Sequence, residues 1–209
     1  MVLPMSRTII FSWVLAAWAA LACAWAGRAT AKEPADSKAM ASARAPAVRH
    51  LDREKDREDL DRIWHFRKML PEPFYRRNNF AWARAEIEGL EKKEYFAHSG
   101  IQNLDGFSAD IAERLRDMSF SPKKGKGKFK TLLVDYKGNI GGRDALPRWF
   151  DTEYKILEDI ASRLPDASVA GSIRLYTNLE PCPSCLGVMD QFLALYTNVQ
   201  MEVFYEWPP

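Results

Sequence analysis

Between Ser172 and Tyr196 the chain passes from an apolar run through Pro181-Cys182-Pro183-Ser184-Cys185 into a helical pattern, and this junction limits the folds open to it. Ser172 to Thr177 suits a strand, Pro183 to Tyr196 a helix, and Val199 to Tyr205 a further strand. Proline is tolerated in the first turn of a helix, where its missing N–H has no intrahelical partner, so Pro183 puts both cysteines at a helix start. Upstream, Phe150, Tyr154, Leu157, Ile160, Ala161 and Leu164 recur at helical spacing until Pro165 stops them. Strands and helices that alternate in this way predict a sheet covered by helices.

Before this region the pattern is less regular. Residues 52–70 are densely charged with a narrow apolar stripe (Leu60, Ile63, Trp64, Leu70), and Asn79 to Lys93 carries Phe80, Trp82, Ile87 and Leu90; both read as helices. Tyr95 to His98 predicts a short strand closed by Ser99-Gly100, residues 109–118 a short helix, and Lys128 to Tyr136 a strand ending in the Gly138–Gly142 loop. The expected organisation is a leader over 1–31, a linker rich in Ala, Ser, Lys and Pro over 32–50, a helical extension over 51–93, and a compact α/β domain over 94–209.

The leader rests on Arg7, the apolar run Ile9 to Ala26, and Ala29-Thr30-Ala31 as a small-x-small cleavage signal. A secretory signal peptide is the expectation, with no stable membrane association after cleavage. The competing readings are an uncleaved membrane anchor, since the run approaches the roughly 20 residues that span a bilayer, and lipid attachment at Cys23; all three take the chain out of the cytoplasm. The full chain has 30 Lys/Arg and 28 Asp/Glu. Losing Arg7 and Arg28 with the leader leaves 28 of each sign, so any nucleic-acid contact must come from a local patch and not from net charge. Residues 120–148 supply one, with Lys123, Lys124, Lys126, Lys128, Lys130, Lys137, Arg143 and Arg148 against Asp135 and Asp144; a solvated loop would look the same.

Cys182 and Cys185 are the two cysteines beyond the leader. A close pair at a helix start serves as a disulfide, a redox dithiol or part of a metal site. Helix N-termini lower thiol pKa values and favour the thiolate that binds metal. A structural zinc site needs four closed ligands, and no second cysteine pair exists. A catalytic zinc needs three ligands and an open position, and Asp151 is the best third donor: it begins the helix preceding the cysteines, with Glu153 two residues on. Alone, Asp151 would be an ordinary N-cap and Glu153 an ordinary first-turn acid.

Asp151-Thr152-Glu153 followed by Pro181-Cys182-Pro183-Ser184-Cys185 resembles the zinc-dependent deaminase superfamily, whose signature is H-x-E followed by P-C-x-x-C. The stretches 151–158 and 175–192 are similar to the deaminase domains that end secreted bacterial toxins. The resemblance implies a three-layer α/β/α fold, a mixed sheet flanked by helices with zinc between two helix N-termini. It implies Asp151, Cys182 and Cys185 as metal ligands, Glu153 as the proton shuttle, and cytosine in a nucleic acid or nucleotide as substrate. An immunity protein is the expected partner in the producing cell.

Asp151 stands where the family has histidine, so the third ligand is either Asp151 or His98. His98 and Ser99 are otherwise candidates for contacts to the substrate's base or sugar, and Trp149, Phe150 and Tyr205 for stacking a flipped base. Two other classes remain: a deaminase-fold binding module without activity, and an exported thiol-disulfide oxidoreductase. The second needs more strands after C-x-x-C than the 24 residues following Cys185 allow.

Overall fold

The computed structural model describes residues 45–207. Five strands form one mixed sheet: β1 (Ala47–His50), β2 (Phe80–Ile87), β3 (Glu94–His98), β6 (Ala170–Leu179) and β7 (Asn198–Trp207), in the spatial order β1-β7-β6-β2-β3. β1 and β6 each run parallel to β7, whereas β2 is antiparallel to both β6 and β3. Parallel neighbours need a crossover, and α5 (Pro183–Leu195) supplies it between β6 and β7. The other helices are α1 (Arg57–Arg67), α2 (Glu72–Tyr75), α3 (Ala109–Arg114) and α4 (Thr152–Arg163). A small hairpin of β4 (Leu133–Val134) and β5 (Leu146–Pro147) stands apart from the main sheet.

Two cores cover the two faces of the sheet, which gives three layers. On one face Ala81, Ala83, Ala85 and Leu175 pack against Ile156, Leu157 and Ile160 of α4 and Val188, Met189 and Phe192 of α5. The other face sets Phe80, Trp82, Phe96, Tyr176 and Phe204 beneath Ile63 of α1 and the loop residues Ile101, Leu115 and Met118. The alternation along β2 explains both: its alanines leave room for two close helices, and its aromatics fill the opposite layer.

This strand corrects the helix expected over Asn79–Lys93. The apolar positions 80, 82, 87 and 90 fit a helical stripe, and alanine is a strong helix former, but burial on both faces favours extended chain. The sheet therefore draws on segment 51–93, expected to be a helical extension, as well as on the residues after Glu94. Part of the expected linker is also structured: Ala47–His50 pairs with Glu202–Tyr205 as the sheet edge. The strand expected over Lys128–Tyr136 shrinks to Leu133–Val134, with Leu132 and Leu133 exposed. The leader and residues 32–44 lie outside the described residues, and among the described residues no helix is long and apolar enough to cross a membrane.

A charged cluster fastens β1 and α1 to the sheet. Asp56, fully buried, accepts from Arg49 Nη1 and Nη2 at 2.7 and 2.6 Å and from Arg174 at 2.8 Å; Arg174 also reaches Asp59 and Glu202. Burial alone would raise the Asp56 pKa, but these partners hold it below its ordinary value.

Candidate metal and proton-transfer site

The loops before α4 and α5 bring the two helix starts together. Asp151 is the N-cap of α4 and Cys182 the N-cap of α5, both with extended backbone and neither capping its helix with its side chain. Aspartate at this position ordinarily accepts from the second or third N–H of the helix. Here its carboxylate turns away: Oδ2 lies 3.4 Å from Cys182 Sγ and 3.3 Å from Cys185 Sγ, and the two sulfurs are 3.3 Å apart. Its other oxygen, Oδ1, faces Arg148 Nη1 at 3.8 Å.

With the thiols protonated these contacts are hydrogen bonds to the carboxylate; a shared cation would instead draw all three as anionic ligands. Burial pushes the Asp151 carboxyl up, although the thiols and Arg148 oppose the shift. Hydrogen bonding with Cys185 pulls the Cys182 thiol down, while the same contact and burial hold Cys185 well above its ordinary value. The donor set fits a metal: one ligand atom from each residue lies within 4.8 Å of the others. For tetrahedral zinc, bonds of about 2.3 Å to sulfur and 2.0 Å to oxygen place S···O near 3.5 Å and S···S near 3.8 Å. The S···O contacts match, and the sulfurs would part by about half an ångström.

Glu153, one residue inside α4, is 2% exposed. Thr177 donates to its Oε1 at 2.9 Å and Thr152 to its Oε2 at 2.8 Å. Asn79 Nδ2 donates in turn to both threonine hydroxyls at 2.8 Å, and its Oδ1 accepts from Leu179 N–H at 3.2 Å. Each carboxylate oxygen thus has a fixed partner, and the asparagine locks both threonines. Burial, and then the neighbouring Asp151 charge, raise the Glu153 pKa; the threonine hydroxyls oppose the shift. A carboxyl held in one orientation with a raised pKa is suited to accept and return a proton.

These groups line one cavity of about 280 Å³, together with Asn79, Ser99, Arg148, Phe150 and Glu180. Ser99 sits at its rim with its Oγ accepting from Asn79 N–H at 2.9 Å. His98 is not brought to the site. It is fully buried, its Nδ1 accepts from Gly100 N–H at 3.1 Å, and its Nε2 faces the Phe74 and Arg77 carbonyls at 3.0 and 2.9 Å. Two carbonyl neighbours require the proton on Nε2, and burial lowers the pKa of the ring, so this is a neutral histidine tying down the 74–77 turn with no nitrogen left for a metal. Tyr205 lies elsewhere too, with its ring centroid 4.3 Å from that of His50.

Lys155, on the same helix as Glu153, is fully buried and donates to the carbonyls of His98 and Ile101 at 2.9 and 2.7 Å. It fixes the turn that carries Ser99. Asn79, Thr177 and Lys155 escape sequence reasoning as site residues because each acts through contacts distant in sequence; Arg148 faces Asp151 only three residues on and stands out in sequence only as part of the basic segment.

A family model described as Toxin-deaminase, the BURPS668_1122 family of deaminases, matches residues 63–207. No curated protein matches the chain, and no solved structure does.

Proposed function

The chain belongs to the BURPS668_1122 family of deaminases, and from that membership we propose that it is a zinc-dependent hydrolytic deaminase acting on cytosine in single-stranded nucleic acid, exported as a toxin. The observation that carries the reading is the sharing of one cavity by the Asp151–Cys182–Cys185 donor set and the Glu153 carboxyl. In this reading Asp151 Oδ2 and the two sulfurs hold zinc. When bound, zinc supplies a Lewis acid that makes water a nucleophile at neutral pH.

Glu153 does the proton transfer. Hydrolysis adds water to the amidine carbon of the base and expels ammonia, so one group must take a proton from the water and give protons to the ring nitrogen and the leaving amine. Thr152 and Thr177 keep both Glu153 oxygens pointed, and Asn79 keeps the threonines pointed. Arg148 sets a positive charge against the second Asp151 oxygen. Phe150 walls the cavity beside them. Export rests on the apolar run before Ala29-Thr30-Ala31, and a toxin of this kind calls for an immunity protein in the cell that makes it.

The test is metal analysis of the purified protein followed by sequencing of single-stranded DNA and RNA exposed to it. Cytosine read as uracil or thymine, with Glu153→Gln keeping zinc and losing at least about 100-fold in rate, is the expected result. Full activity in Glu153→Gln sinks the mechanism; zinc retained without conversion of any base leaves a binding module instead.

A further inference from the structure

The end of β5 and the turn that follows it, closed by the Asp151 N–H donating to the Arg148 carbonyl at 3.2 Å, form a wall between two cavities. Arg148 and Phe150 face the 280 Å³ cavity of the site. Pro147 and Trp149 line a second and larger cavity of about 580 Å³. Trp149 stands between Arg148 and Phe150 in the chain, so the two cavities are neighbours across this turn.

The lining of the second cavity has a definite chemistry. Trp149, 46% exposed, and Tyr154 are its aromatic surface, Lys123 and Lys124 its charge, and no Asp or Glu takes part. Neither lysine ammonium has a hydrogen-bond or ion-pair partner among the described residues, although Lys128 of the same basic segment is engaged by the Ala161 carbonyl and the Tyr196 hydroxyl. An open indole beside unpaired cations suits a nucleobase stacked on an aromatic face with its phosphate held by ammonium groups. The size of the site cavity points the same way. At about 280 Å³ it has room for one extruded base, and a strand that places a base there would continue past Trp149, the neighbour of Arg148 and Phe150 in its wall.

We propose that the Trp149–Lys123–Lys124 cavity is the subsite for the nucleotide adjoining the target base of a single-stranded nucleic acid. Resting as it does on the deaminase reading above, the subsite makes the substrate a strand and not a free nucleoside.

The experiment measures binding of labelled single-stranded DNA and RNA oligonucleotides to the full chain by fluorescence anisotropy over a range of salt. Thermal unfolding and zinc content serve as controls for folding. Trp149→Ala should weaken binding about 5- to 150-fold, from the usual worth of one base–aromatic stack, and Trp149→Phe should restore part of it. Lys123→Ala with Lys124→Ala should reduce the slope of log affinity against log salt by about 1.4, at roughly 0.7 per phosphate contact. Unchanged oligonucleotide affinity in both variants, with folding and zinc intact, overturns the subsite. Binding lost in both variants while the unmodified protein converts no base keeps the cavity as a nucleotide-binding site and refutes the deaminase reading, so the two fail separately.

Discussion

In the proposed zinc site, Asp151 in place of a histidine would add one negative charge to the donor set, and Arg148 stands where that charge can be offset. Two thiolates and an imidazole balance a divalent cation, whereas two thiolates and Asp151 leave an excess of one. The Arg148 Nη1 to Asp151 Oδ1 separation is 3.8 Å, and the side chains are 19% and 12% exposed. At an effective dielectric of about 20 the attraction is roughly 4 kcal/mol, of which desolvation cancels a share; a net value of about 2 kcal/mol is expected. Arg148→Gln should therefore weaken zinc binding about 30-fold in competition with a chromogenic chelator. Arg148 also donates to the Val134 and Asp135 carbonyls at 3.1 and 2.7 Å, so a single variant mixes charge with loop anchoring. A double-mutant cycle separates them: in an Asp151→His background the added charge is gone, and Arg148→Gln should then cost little zinc affinity. An equal loss in both backgrounds would refute the charge argument.

Other consequences are open to measurement. Burial pushes Lys155 down to about 7, with Asp151 pulling the other way, while its unfolded value is near 10.4. Between about pH 7 and pH 10 the unfolded chain thus binds a proton that the folded chain lacks, and unfolding free energy from urea titrations should rise with pH; Lys155→Met should flatten that rise. Asp56→Asn should cost roughly 3 kcal/mol, because Arg49 and Arg174 would lose their buried carboxylate. Gly171→Ala should destabilise by about 2–3 kcal/mol, since the added carbon would lie 2.1 Å from the Glu86 carbonyl oxygen and 2.7 Å from Ile87 Cα on the neighbouring strand. A thermal melt that leaves either variant at the parental midpoint would contradict the packing described.

The C-terminal half of the fold is legible in the sequence for identifiable reasons. Phe150 to Leu164 is strongly periodic and bounded by Pro165, and Pro183 marks the start of α5, so α4, β6, α5 and β7 fall within a few residues of expectation. The strand β2 was readable in another way. Ala81, Ala83 and Ala85 alternate with Phe80, Trp82 and Arg84, a period of two that the helical stripe at 80, 87 and 90 obscured. β1 carried almost no signal, because an edge strand with one apolar valine gains its place from the Arg49–Asp56–Glu202 cluster and not from hydrophobic pattern. At the site, Asp151, Glu153 and the cysteines follow from the spacing of two motifs. Asn79 could not, since it enters from the loop just before β2 and its value lies in touching two threonines 73 and 98 residues away. His98 misled because a histidine at a strand end looks the same in sequence whether it faces a cavity or a turn.

The short strand β1 also bears on how the molecule avoids sticking to itself. β7 is ten residues long and reads Asn-Val-Gln-Met-Glu-Val-Phe-Tyr-Glu-Trp, and four of its residues on the outer side bond to Ala47–His50. Without that cover, a long and partly apolar strand would offer a row of free amides and carbonyls, the template on which chains pair edge to edge. Proteolytic trimming that stops before Ala47 would leave a quiet surface, whereas a cut between His50 and α1 would turn the same domain into a seed for its own aggregation.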